Sequence, residues 1–198
     1  MKNTKEVILF YKGTVNYDLE SISKEIESRF EDLKNPIISK SEGLIVFNNN
    51  DNFQIEINNK NVIIVMKYHY FNELTSIVFD VIDAFETYDV KFSRIGYISS
   101  NFESPLKIDA AKKKFLKEEE FNDVLELNLN WYRKLDFDSS YINCWERVIT
   151  DSTHFKDLLL QYDINTRNDE NIEFDMKFIK KFFKTADTFV ESRIDSLW

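Results

Sequence analysis

The stretch LIVFNNNDNFQIEINNKNVIIVM, residues 44–66, decides the fold. It holds three short apolar segments, at 44–47, 53–57 and 62–66, and the middle one alternates apolar with polar side chains. A period of two is typical of a half-buried β-strand. Asparagine-rich spacers separate the segments, and asparagine can replace glycine in tight turns because it tolerates positive φ. We therefore predict a three-stranded antiparallel meander.

The rest of the chain alternates between strand and helix patterns. Apolar residues at helical spacing predict two long amphipathic helices, at 18–34 and 172–194, and a shorter helix at about 72–88. The order strand-strand-strand-helix occurs twice, at 44–88 and 125–194. These patterns predict an α+β protein with a mostly antiparallel sheet, or sheets, of six to eight strands. Outside the meander, strands are predicted at 5–15, 90–99, 125–132, 141–150 and 158–166, and a polar helical segment at 108–121.

The domain organisation follows from length and composition. A chain of 198 residues fits one domain, and no low-complexity linker divides it. We predict a single α+β domain over residues 1–198. Two lobes that share a core remain the alternative, with a seam near 104–122.

Three residue types that common catalytic sites need are scarce in this sequence. It has 3 Gly, 2 His and 1 Cys. Phosphate-binding loops and nucleophile elbows need glycines at fixed spacing, and structural zinc sites need sets of Cys and His. These classes are excluded by inventory, so we predict no catalytic, cofactor-binding or metal-binding residues and no cofactor.

The charge balance bears on partners and location. The formal net charge is −9 at pH 7, which repels phosphate backbones and disfavours nucleic acid as a partner. Acidity suits solubility and also suits a protein partner with a basic face. The single Cys144 cannot form an internal disulfide, and no apolar run approaches the length of a signal peptide or a membrane span. We expect a cytoplasmic protein that binds no membrane.

Three segments resemble an uncharacterised, sporadically distributed prokaryotic family of small α+β proteins. Arg94–Asn101 (RIGYISSN) is similar to that family's RIGxRYIN-like strand, and Leu160–Asn165 (LQYDIN) is similar to its DID-like strand. The Phe-rich closing helix, which ends in Arg193 and Trp198, is the third. The sequence departs from the family pattern at Tyr97-Ile98 and at Asn165. The resemblance implies a soluble α+β fold and brings no established activity.

Several polar constellations could carry chemistry, and each has a simpler structural interpretation. Asp80, Asp83 and Glu86 form a row on one helix that also suits a solvated face. Glu56, Asp89 and Lys91 contain the carboxylate and lysine pattern of a metal-dependent nuclease. Cys144 and His154 are one conceivable nucleophile–base pair, although a free cysteine is usually buried and inert. His69 lies at the end of a predicted strand, where a surface or half-buried histidine is a simpler interpretation than a general base.

The sequence favours binding over catalysis. We predict a non-enzymatic protein that binds another macromolecule, as an accessory, immunity or defence-associated factor, and a homo-oligomer is left open. The alternatives are a small-ligand-binding domain with an aromatic pocket between sheet and helices, and the metal-dependent nuclease. Aromatic and lysine side chains that look exposed are the candidate contacts, since aromatics anchor interfaces well. These candidates are Tyr68, Tyr70 and Tyr132, with Lys177, Lys180, Lys181 and Lys184 on one face of the last helix.

Overall fold

One antiparallel sheet organises the part of the chain that the computed structural model describes, which is residues 3–15, 17–49, 53–103, 106–115, 127–150, 158–168 and 172–197. Its strands are β1 (Thr4–Tyr11), β2 (Ile37–Ser39), β3 (Leu44–Asn49), β4 (Phe53–Ile57), β5 (Asn61–Lys67), β6 (Phe92–Glu103), β7 (Asn128–Phe137), β8 (Ser140–Thr150) and β9 (Leu158–Asn165). They lie in the order β2-β3-β4-β5-β1-β6-β9-β8-β7. All neighbouring strands are antiparallel, so the predicted α+β class is confirmed.

The predicted meander is confirmed, but its second turn is held differently from our expectation. β3, β4 and β5 pair in sequence, with Ile57 opposite Val62 across the turn. The Asn58 side chain accepts hydrogen bonds from the backbone N–H groups of Lys60, at 2.9 Å, and Asn61, at 3.1 Å. The described asparagines of this turn have no positive φ. Asparagine therefore serves here through side-chain hydrogen bonds rather than through an unusual backbone conformation.

Four α-helices accompany the sheet in the described residues. They are α1 (Leu19–Arg29), α2 (Leu74–Glu86), α3 (Leu106–Phe115) and α4 (Met176–Leu197), and a short 3₁₀ helix, Tyr68–Glu73, leads into α2. Asp18 caps α1 by accepting from the Ser21 N–H at 2.8 Å.

The predictions of six to eight strands and of two long helices were wrong in part. In the described residues the sheet has nine strands, and β2 was not predicted because it is only three residues long and gives no readable alternation. The predicted 18–34 helix ends at Arg29, since Phe30 adopts an extended backbone even though Leu33 beyond it is buried. Among the helices of the described residues, only α4, at 22 residues, is long. The predicted polar segment at 108–121 contains α3 up to Phe115, and its remainder lies outside the described residues.

α1, α2 and α4 pack against the same face of the sheet, which we call the covered face. An aromatic ring contact places each of these helices on the covered face. Phe30, just after α1, meets Phe53 at 5.9 Å, and Phe85 of α2 meets Tyr11 at 5.7 Å between ring centroids. Phe183 of α4 meets Tyr97 at 5.7 Å. α3 is tied to the same layer because Lys114 donates to the Ser196 carbonyl at the end of α4.

The two halves of the chain repeat one plan. The first half runs β1, α1, three meander strands and α2, with β2 added before the meander, and the second runs β6, α3, three meander strands and α4. In the sheet, β5-β1 on one side corresponds to β9-β6 on the other, and β1 pairs antiparallel with β6 in the middle. A two-fold axis perpendicular to the sheet, between β1 and β6, would produce this order. The sheet thus continues unbroken across both halves.

Truncating the core side of α4 tests the assignment of its faces. Phe182 is fully buried and stacks with Phe178, whereas Lys180 is exposed. We expect Phe182→Ala to lower the free energy of unfolding by about 3–5 kcal/mol, because it leaves a cavity under the helix. Lys180→Ala is the matched control and should leave urea denaturation unchanged. Equal midpoints for the two variants would contradict this assignment of the faces.

Candidate functional site

The second face of the sheet carries no described helix, and we call it the uncovered face. Because alternate residues of a strand point to opposite faces, the pairing register identifies which side chains share it. One row across the sheet runs through directly paired residues on six adjacent strands. Its members, from β5 to β7, are Val65, Glu6, Ile98, Asp163, Trp145 and Tyr132.

An aromatic pair occupies the β7–β8 end of this face. Tyr132 and Trp145 lie opposite each other, with ring centroids 5.1 Å apart, and they remain 46% and 43% exposed. The Tyr132 hydroxyl donates to Asn143 Oδ1 at 2.7 Å, which fixes its ring. A groove of about 520 Å³ runs beside Trp145 along Arg147 and Ile149. Large aromatics held this far in solvent are typical of a binding surface.

An acidic centre lies next to the aromatic pair. Glu6 and Asp163 flank Ile98 in the same row, so they are two strand spacings apart, roughly 10 Å. Glu56 is on the same face of β4. No described cation pairs with any of these three carboxylates. Burial, followed by repulsion from Asp163 and Glu56, raises the pKa of Glu6 above its ordinary value.

Neutralising Glu6 should therefore change how stability depends on pH. A carboxyl whose pKa is higher in the folded chain binds more protons there than in the unfolded chain. The free energy of unfolding then falls as pH rises from about 4.5 through the raised pKa. We expect Glu6→Gln to flatten this fall and to be at least as stable as the wild type at pH 7. Chemical denaturation between pH 4 and 8 measures it, and a steeper fall in the variant would contradict the electrostatic account.

Beneath α4 lies a buried ion cluster that sequence reasoning missed. Glu146, on the covered face of β8, is fully buried. Its Oε1 accepts from Arg193 Nη2 at 2.7 Å and Nε at 3.0 Å, and its Oε2 accepts from Arg133 Nε at 2.9 Å. The sequence contains one signal for this cluster. A carboxylate occupies a position of β8 that shares its face with the inward-pointing Ile142, Cys144 and Val148. The cluster fastens the end of α4 to β7 and β8, and we assign it a structural role.

Breaking the cluster should cost stability. Removing a buried carboxylate leaves two guanidinium groups without their shared partner, which is strongly destabilising. We expect Glu146→Ala to lower the free energy of unfolding by about 3 kcal/mol. Glu146→Gln should cost less, since the amide oxygen still accepts one hydrogen bond. Guanidinium denaturation ranks the variants, and an unchanged midpoint for Glu146→Ala would refute a structural role.

The predicted contact residues do not form one surface. Tyr132 lies on the uncovered face. The four lysines lie exposed on α4, on the opposite side of the sheet, and Lys181 is paired with Asp138. Tyr68 and Tyr70 belong to the 3₁₀ helix, but their side chains lie outside the described part of the structure. The chain thus has two separate candidate surfaces, one aromatic and acidic, the other basic.

The residues predicted for nuclease chemistry are dispersed. Glu56 is on the uncovered face, whereas Asp89 and Lys91 line a cleft beside the end of α2. Among the described residues, no three acidic, Cys or His side chains lie close enough to hold a metal ion. Cys144 is buried, and burial raises the pKa of its thiol to about 12. His154 and the side chain of His69 lie outside the described residues.

One of the carboxylates predicted as a metal-binding row pairs with a neighbouring helix. Arg29 of α1 donates to Asp83 at 2.6 Å, and this ion pair joins α1 to α2. Burial, with repulsion from Asp83 as a smaller cause, raises the pKa of Asp80. Glu86 is exposed and lines the cleft at the end of α2. Of the three carboxylates, Glu86 fits the solvated face of the simpler interpretation, whereas Asp83 takes part in an ion pair between helices.

The cleft at the end of α2 is the second candidate site, with a volume of about 500 Å³. Buried Phe92 and Phe174 form part of its lining, so it brings aromatic side chains between the sheet and the helices. Its charged lining residues are exposed. These are Lys12, Glu86, Asp89, Lys91 and Glu173.

Comparison with protein-family models and curated sequences adds no relative. No protein-family model matches the chain, and no curated protein sequence matches it. The resemblance carried by Arg94–Asn101 and Leu160–Asn165 therefore stays a prediction. In the described residues, no helix has both the length and the apolar character that crossing a membrane requires.

Proposed function

We propose that this chain is a non-enzymatic binding protein that recognises another protein through its uncovered sheet face. One observation carries the proposal: among the described residues, α1, α2 and α4 all pack on one side of the sheet, which leaves the aromatic pair and the acidic centre facing outward. An accessory, immunity or defence-associated role suits such a protein. Exposed aromatics next to charge supply the anchor and the specificity that interfaces need.

The charge pattern of the face selects the chemistry of the partner. Glu6, Glu56 and Asp163 have no cationic partner among the described residues, and their mutual repulsion is relieved when a positive group approaches. A net charge of −9 also attracts a basic protein from a distance. We therefore propose a partner with a lysine- or arginine-rich segment, which lies across the acidic centre while an apolar or cationic group of it covers Trp145.

The cleft at the end of α2 supports the small-ligand alternative less well. A deep closed cavity would have favoured it, because small-ligand sites bury most of the ligand surface. Phe92 and Phe174 give the cleft an apolar floor, but the charges of Asp89, Lys91 and Glu173 around them stand in solvent. The geometry thus favours recognition of a protein over enclosure of a small molecule.

The proposal predicts which variants lose the partner. The immobilised protein is incubated with nuclease-treated lysate of its host, and bound proteins are eluted and identified. A partner captured by the wild type should be lost with Trp145→Ala and with Asp163→Lys. With the purified partner, we expect Trp145→Ala to weaken binding about 30-fold, the usual cost of a central aromatic anchor of about 2 kcal/mol. Binding should also weaken as salt rises.

Matched controls separate the two candidate surfaces. Lys180→Ala and Lys184→Ala change exposed residues of α4 on the opposite side of the molecule. They should bind the partner as the wild type does. Denaturation midpoints check that Trp145→Ala and Asp163→Lys still fold, which is expected because both positions face outward. If the α4 variants lost the partner while Trp145→Ala kept it, the uncovered face would not be the binding site.

A further inference from the structure

β7 forms a long outer edge of the sheet. It is ten residues long and pairs with β8 on one side, while no strand in the described residues pairs with its other side. The opposite edge of the sheet is β2, which has only three residues and follows Pro36. An outer strand presents a row of backbone donors and acceptors that can pair with another strand. β7 is therefore the edge of this sheet most suited to strand addition.

The backbone hydrogen bonds show which residues of β7 point outward. The Thr150 N–H donates to the Leu127 carbonyl at 2.9 Å, so the backbone groups of Leu127 face β8. The register is regular from Asn128 opposite Ile149 to Phe137 opposite Ser140. Inward and outward backbone groups alternate in an antiparallel pair, so every even-numbered residue of β7 faces the free edge. These residues are Asn128, Asn130, Tyr132, Lys134 and Asp136.

A second copy of the chain fits this edge best in one register. Two β7 strands that pair antiparallel around a two-fold axis must be centred on a single residue. When the strand pair is centred on Tyr132, each of the five outward residues lies opposite an outward residue of the second copy. Five such pairs with two bonds each give ten hydrogen bonds. A strand pair centred on Trp131 or on Arg133 has only four such residue pairs. Centring on Arg133 also places the two Arg133 guanidinium groups opposite each other. The register around Tyr132 is therefore favoured on both counts.

The side chains agree with this register. Lys134 lies opposite the partner's Asn130 and Asp136 opposite the partner's Asn128, so no like charges meet directly. On the covered face, Leu135 lies opposite the partner's Leu129. On the uncovered face, Tyr132 meets the partner's Tyr132 on the axis, beside Trp145 of each copy. Polar, apolar and aromatic positions are each matched with a compatible residue.

We propose that the chain forms a homodimer in which β7 pairs antiparallel with β7 of a second copy around Tyr132. The axis is then perpendicular to the sheet, so the two sheets join into one sheet of eighteen strands with both uncovered faces on the same side. The two Tyr132–Trp145 pairs become one continuous aromatic surface.

Sedimentation equilibrium tests the dimer. We expect the wild type to be dimeric and Tyr132→Phe to remain so. Tyr132→Lys, which places two ammonium groups across the axis, should raise the dimer dissociation constant tenfold or more. Lys180→Ala is the control, because it lies on α4 and far from the edge strand. A wild-type protein that stays monomeric at several hundred micromolar would overturn the proposal, and the proposed function would stand, since each copy carries a complete uncovered face.

Single-cysteine variants test the register in a Cys144→Ser background. Directly paired Cα atoms at hydrogen-bonded sites are about 5.5 Å apart, which a disulfide can bridge. Tyr132→Cys should therefore form a crosslinked dimer on mild oxidation. Asn130→Cys and Lys134→Cys should crosslink only when the two variants are mixed, because each lies opposite the other. Efficient crosslinking of Asn130→Cys with itself would overturn this register.

Discussion

The antiparallel pairing of β1 with β6 is the contact on which the rest of the structure depends. It joins two halves that each contain a meander and two helices, and it makes one sheet from them. Eight residue pairs form its register, from Thr4 opposite Ser100 to Tyr11 opposite Phe92. Because seven of these pairs, from Thr4 to Phe10, are in unbroken register, the two halves form one sheet with their helices on the same side. The covered and uncovered faces of the whole molecule are set at this seam.

Local patterns predicted most of the elements, because a period of two or of 3.6 is written into a short stretch of sequence. The meander at 44–66 and the Phe-rich face of α4 are the clearest cases. β2 could not be predicted, since three residues are too few to show a period. The end of α1 was misjudged because Leu33 continues the apolar spacing in a segment that is no longer helical.

The candidate site was less accessible to prediction, for a topological reason. Alternation states which side chains of a strand share a face, but not which face the helices cover. Tyr132 was found as an isolated aromatic, whereas Trp145, Glu6 and Asp163 become its neighbours only through strand order. Each of these three neighbours lies on a different strand: Trp145 on β8, Glu6 on β1 and Asp163 on β9. Glu146 was missed because an acidic residue on a strand is usually solvated, and here two arginines distant in sequence make its burial possible.

The position of β1 has a consequence for how the chain reaches this structure. β1 precedes the other described strands in the chain, yet its neighbours β5 and β6 follow only after long intervals, as Thr4 pairs with Lys67 and with Ser100. The strands of each meander are near each other in sequence, so they pair quickly. β1, in contrast, can pair only with strands that are synthesised later. Before those strands are made, β1, which carries the apolar side chains Val7 and Leu9, has no partner strand on either side. Completion of the central sheet is thereby deferred until β6, which ends at Glu103, has been synthesised.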